Sequence, residues 1–136
     1  MGYYSTVETR NGLSIKPELI GKVKQDVQFC KDHEPSYLYS SVDGEHKEFA
    51  VLRNRIGISG DYVFWHIASI EIEDNGYFYW EGEQKFYGYE DLAEYLKDKV
   101  TTGDLVLVGE DGEGWGFRFD GQGNYKRLMM DWTEAN

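Results

Sequence analysis

The chain has 136 residues, 25 of them acidic and 14 basic, for a formal net charge of −11. A field of that sign repels phosphate backbones, and the densest basic spot is only Lys126-Arg127, so direct nucleic-acid binding is not expected. No apolar run exceeds four residues, against the roughly 18–20 needed to span a bilayer, so no membrane partner is expected either.

A chain of this length is one domain's worth on the usual prior and needs no disulfide or metal to fold. The lone cysteine, Cys30, cannot form an internal disulfide. The start, Met1-Gly2-Tyr3-Tyr4, shows neither the basic nor the apolar region of a signal peptide, and the expected compartment is the cytoplasm. Eleven Tyr, seven Phe and four Trp point to a β-rich core, with Tyr suited to strand edges and binding surfaces.

In chain order, Tyr3 to Glu8 reads as a strand. Pro17 suits a first helical position, and Leu19, Val23, Val27 and Cys30 make an apolar stripe that ends before Pro35, with His33 at the helix end. Tyr37 to Val42 and Glu48 to Arg53 read as strands around Asp43-Gly44. Gly57 to Gly60 is a loop, and Tyr62 to His66 begins the next apolar run, with His66 as a sheet residue.

At Ile70 to Trp80 the register of a hairpin can be argued. A three-residue loop, Asp74-Asn75-Gly76, pairs Ile72 with Phe78 and gathers Ile70, Ile72, Phe78 and Trp80 on one face. Glu71, Glu73, Tyr77 and Tyr79 then take the other, whereas a two-residue loop would slip the apolar set across the sheet. A left-handed Gly76 closes such a turn.

Beyond a turn at Glu81 to Gln84, Lys85 to Tyr87 makes a short strand. A second helix runs from about Tyr89 to Lys99, with Leu92, Leu96 and Val100 on one stripe. Asp104 to Val108, Gly114 to Phe119 and Tyr125 to Met130 are closing strands, the middle one with Trp115, Phe117 and Phe119 to one side. The expected fold is α+β: a mainly antiparallel sheet with two helices on one face.

No catalytic residues, cofactor site or metal site are expected from the sequence. The loop Gly109 to Gly116 is glycine-rich but lacks the Lys-Ser/Thr of a phosphate loop and lies between strands. Hard oxygen ligands on a glycine-rich loop suit calcium, but the spacing of Glu110, Asp111 and Glu113 does not match a calcium hand, so an acidic hairpin turn is the favoured reading and calcium the alternative. His33, His46 and His66 are far apart in sequence, and Cys30 sits on an apolar stripe as a core residue.

What remains is a surface. Glu71, Glu73, Tyr77, Tyr79, Glu81, Glu83 and Tyr87 form an acidic, tyrosine-rich band, with Glu110, Asp111 and Glu113 as further acids. Solvated strand faces look like this; so does a recognition face for a cationic partner protein. A different class, a binder that sequesters a nucleotide-like signalling molecule, would draw on Arg53, Arg55, Arg118, Lys126 and Arg127 beside aromatic rings. An uncharacterised enzyme is a third alternative. An unblocked edge strand would also allow a homodimer.

The Gly2-Tyr3-Tyr4 start, the Tyr89-Glu90-Asp91-Leu92 helix start and the segment Gly109-Glu110-Asp111-Gly112-Glu113-Gly114-Trp115 carry a resemblance. By them the chain resembles a group of small proteins of phages, prophages and some bacteria, whose biochemical role is largely unassigned. The resemblance implies a ferredoxin-like α+β layout, a phage context and no catalytic residues. Small non-structural phage proteins are often inhibitors of host systems, so it also raises the expectation of a host-defence inhibitor.

Overall fold

The computed structural model describes residues 4–33, 47–58, 63–82, 84–85, 89–109 and 114–129. Five strands form one antiparallel sheet: β1 (Tyr4–Arg10), β4 (Gln84–Lys85), β5 (Thr102–Gly109), β6 (Gly114–Asp120) and β7 (Tyr125–Leu128). Their spatial order is β4-β1-β5-β6-β7. A separate two-stranded hairpin is made by β2 (Glu71–Ile72) and β3 (Phe78–Tyr79). The helices are α1 (Ile20–Asp32), α2 (Lys47–Ile56), α3 (Val63–Ala68) and α4 (Tyr89–Leu96), with a 3-10 turn at Pro17–Leu19 leading into α1.

The expected α+β class with a mainly antiparallel sheet is the observed one. The core lies on one face of the sheet because side chains alternate along each strand. Val7 of β1, Leu105 and Leu107 of β5, and Phe117 and Phe119 of β6 point to that face. Against them pack Val23, Val27 and Cys30 of α1, Leu52 of α2, Phe64 and Ile67 of α3, and Leu92 and Leu96 of α4. The opposite face also buries Val106 and Leu128, which lie apart from this main core.

Four α-helices, not two, occur among the described residues. Glu48 to Arg53, expected as a strand, lies within α2, where Leu52 and Ile56 stand one turn apart and turn inward. Val51 shares no such stripe and is 45% exposed. The Tyr62 to His66 run leads into α3, so the buried His66 is a helix residue and not a sheet residue. Burial of five of its six residues left no alternation of polar and apolar positions to reveal a helix. The strand expected at Tyr37 to Val42 lies outside the described residues.

The hairpin adopts the expected register. Ile72 pairs with Phe78 and Glu71 with Tyr79. Gly76 has φ +94°, the left-handed conformation the three-residue loop requires.

Candidate functional site

The hairpin is clamped to the rest of the molecule through its apolar side and its loop. The Ile15 N–H donates to the Gly76 carbonyl at 2.8 Å. Trp80 Nε1–H donates to the His66 carbonyl at 2.9 Å, a buried bond between the hairpin and α3. The Thr9 hydroxyl of β1 donates to the Phe78 carbonyl at 3.4 Å. Within the turn, the Tyr77 N–H donates to Asn75 Oδ1 at 3.0 Å. Phe78 and Trp80, buried and edge-to-face at 5.9 Å, fill the core side.

With that side fixed, Glu71, Glu73, Tyr77 and Tyr79 face outward, as the register demands. Tyr77 and Tyr79 stack with ring centroids 5.7 Å apart and planes 26° from parallel. Tyr77 is 42% exposed, one of three large apolar or aromatic side chains so open among the described residues. Partial burial and then the carboxylates of Glu71, Glu81 and Glu73 push the Tyr79 phenol above its ordinary range, so it stays a neutral hydroxyl. Neither Glu71 nor Glu73 has an ion-pair partner among the described residues; Asp74 meets Lys24 at 3.1 Å.

Between this face and β1 lies a groove of about 480 Å³, lined by Val7, Glu8, Thr9, Glu73, Tyr77, Tyr79 and Trp80. At its β1 side Arg10 Nη2 meets Glu8 Oε1 at 3.0 Å. The structure therefore brings Glu71, Glu73, Tyr77, Tyr79 and Glu81 together and adds Val7, Glu8, Thr9 and Trp80. Those additions from β1 had no local sequence signal, because they precede the hairpin by more than 60 residues. Glu83, Tyr87, Glu110, Asp111 and Glu113 lie outside the described residues.

The basic candidates are scattered. Arg53 and Arg55 lie on α2; Arg55 stacks over Phe29 at 4.8 Å and its Nε lies 3.5 Å from Asp26 Oδ1. Arg127 meets Glu90 at 3.2 Å. Arg118 and Lys126 face each other across β6 and β7 and line a second recess, of about 450 Å³, with Phe119, Asp120, Asn124, Tyr125 and Thr102. Arg118 donates through Nε and Nη2 to both oxygens of the buried Asp104, at 2.9 and 3.1 Å, so its planar fork is already engaged. Asp120 accepts from the Gln122 and Asn124 backbone, which lowers its carboxyl below the usual range and organises the β6–β7 turn.

A polar link in the interior was missed from sequence. Asp26, 0% exposed, accepts from the buried Tyr95 hydroxyl at 2.6 Å and from Lys22 Nζ at 2.8 Å. The available signal was an aspartate beside Val23, Val27 and Cys30 on the helical stripe of α1. Among the described residues no group of three or more His, Cys, Asp or Glu is placed to hold a metal ion, and Cys30 is a buried thiol.

Fold and groove together define an α+β, antiparallel-sheet domain with a preformed acidic and aromatic recess. Comparison with protein-family models, with curated proteins and with solved structures finds no match to this chain. Among the described residues no helix is long and apolar enough to cross a membrane.

Proposed function

We propose that the chain is a non-enzymatic accessory protein of the phage type, which binds a host protein of antiviral defence and inhibits it. The acidic, tyrosine-faced groove covers a basic surface on that protein; nucleic acid is not bound directly. The action takes place in the host cytoplasm.

The observation that carries this reading is the convergence of Glu71, Glu73, Tyr77 and Tyr79 on one rigid hairpin face beside a groove. Rigid tyrosines supply contact area at low entropic cost, and unpaired carboxylates steer a cationic partner. The net charge of −11 extends that steering over the whole molecule. The resemblance to small phage proteins supports the host-inhibitor context. The test is affinity capture from a host lysate with the native chain and with Glu71→Lys/Glu73→Lys, at low and high salt. A partner retained by the native chain and lost by the variant and in high salt supports the reading. Equal capture by both chains overturns it.

A second reading, sequestration of a nucleotide-like signal, draws on the recess where Arg118 and Lys126 stand beside Phe119 and Tyr125. Engagement of Arg118 by Asp104 weighs against an anionic ligand there. Thermal shift against cyclic and linear nucleotides tests it; no shift at millimolar ligand removes it.

A further inference from the structure

We infer that the groove receives an arginine side chain, carried on an extended segment of the partner, with its guanidinium laid over the Tyr77 ring and its N–H fork turned to Glu73 and Glu71. This deepens the proposed function and rests on it, since it names the group by which the basic partner is read.

Three observations bear on the choice. Tyr77 stacks on Tyr79, with planes 26° from parallel, and is itself 42% exposed, so a held aromatic ring remains within reach of a cation. Glu73 lines the groove beside Tyr77, and its N–H donates to the Tyr77 carbonyl at 2.8 Å, so carboxylate and ring are tied to one backbone step. Glu71 stands opposite Tyr79 in the register, one residue pair further along the same face.

A planar guanidinium can satisfy both features at once, stacking on the ring while its edge donates to a carboxylate. An ammonium can also lie over a ring and meet a carboxylate, as Lys99 does with Tyr95 at 4.1 Å and Asp98 at 3.1 Å, but it has no flat face to stack and no bidentate fork. The molecule builds the same arrangement internally: Arg55 lies 4.8 Å over the Phe29 ring and 3.5 Å from Asp26. The groove volume, about 480 Å³, falls within the range of roughly 300–1,000 Å³ typical of ligand sites, which suits one long side chain with its neighbours.

The experiment titrates the full chain with three acetylated, amidated peptides, Gly-Arg-Gly-Arg-Gly and its lysine and citrulline counterparts, following the Tyr77 and Tyr79 ring resonances by NMR. The arginine peptide is expected to shift both rings and to bind roughly fivefold tighter than the lysine peptide, with citrulline inert. Tyr77→Ala should abolish the arginine preference, and Tyr77→Phe should retain it. Should the alanine variant lose its fold, Glu73→Gln, on an exposed side chain, carries the same comparison. Equal binding of the arginine and lysine peptides overturns the arginine clamp while leaving the acidic surface standing. Absence of any ring shift overturns the clamp as well, and the lysate comparison with Glu71→Lys/Glu73→Lys then decides the broader reading separately.

Discussion

Tyr95 of α4 donates its hydroxyl proton to Asp26 of α1 at 2.6 Å, and neither residue has more than 1% of its surface exposed. The link joins two helices within the apolar core. A buried carboxylate is tolerated there because Lys22 reaches it at 2.8 Å and Arg55 at 3.5 Å, both from the half-exposed rim. Tyr95 is braced in turn by Lys99, whose Nζ lies 4.1 Å from the ring centroid.

Tyr95→Phe removes one hydrogen bond to a charged acceptor and leaves Asp26 with its cations. The expected loss is about 2 kcal/mol. Asp26→Ala leaves the Tyr95 hydroxyl buried without its acceptor, while Lys22 and Arg55 turn to water, and about 2–3 kcal/mol is expected. Urea denaturation should show a lower midpoint with an unchanged slope in both variants.

Alkaline pH should unfold the protein through its tyrosines. Burial and then the hydrogen bond to Asp26 hold the Tyr95 phenol far above the ordinary value of about 10. Burial and then the Glu94 carboxylate push Tyr125 up to about 12. Above pH of about 10 the unfolded chain releases protons that the folded chain keeps, so unfolding is favoured as pH rises. The stabilising contribution is complete below the unfolded value and fades through the folded ones. Phenolate absorbance should therefore show a late-titrating fraction that appears together with loss of far-ultraviolet circular dichroism. In Tyr95→Phe the pH dependence of stability above 10 should be shallower.

Gly76→Ala tests how the hairpin is mounted. Position 76 has φ +94°, and an added Cβ would lie 2.5 Å from the Ile15 carbonyl oxygen. Backbone on both sides cannot yield cheaply, and a loss of about 3 kcal/mol is expected. The Ile15 amide should also gain hydrogen exchange, because its N–H donates to the Gly76 carbonyl across the strained contact.

Charge reversal on the outer hairpin face should leave the fold intact. Glu71 and Glu73 are exposed and have no ion-pair partners among the described residues, so Glu71→Lys and Glu73→Lys should each change stability within about 0.5 kcal/mol. Relief of repulsion between neighbouring carboxylates favours a slight gain. Binding to a cationic partner should fall roughly tenfold per reversal, mainly in the association rate and mostly at low salt.

Local pattern carried much of the architecture. The Val23, Val27 and Cys30 stripe, the Leu92 and Leu96 stripe and the alternation of Phe117 with Phe119 each mark a buried face, and each is buried as read. The hairpin was the sharpest case: the wish to keep Ile72, Phe78 and Trp80 together selects one loop length, and the glycine needed to close it stands at position 76. Two segments misled for one reason. In α3 nearly every side chain is buried, and in α2 Val51 faces outward, so neither displays a clean two-sided pattern.

What the amino-acid order determined by itself was therefore the class of the sheet, the register of its clearest hairpin and the outward set of Glu71, Glu73, Tyr77 and Tyr79. Those properties follow from side-chain period and turn chemistry, which act over a few residues. Only the tertiary structure decided that Thr9 meets Phe78 and that Asp26 meets Tyr95, contacts that each span 69 positions of chain. Such contacts arise when separate apolar faces are buried against one another, and the closing of β1 on the hairpin is what turns a tyrosine-bearing strand into a groove.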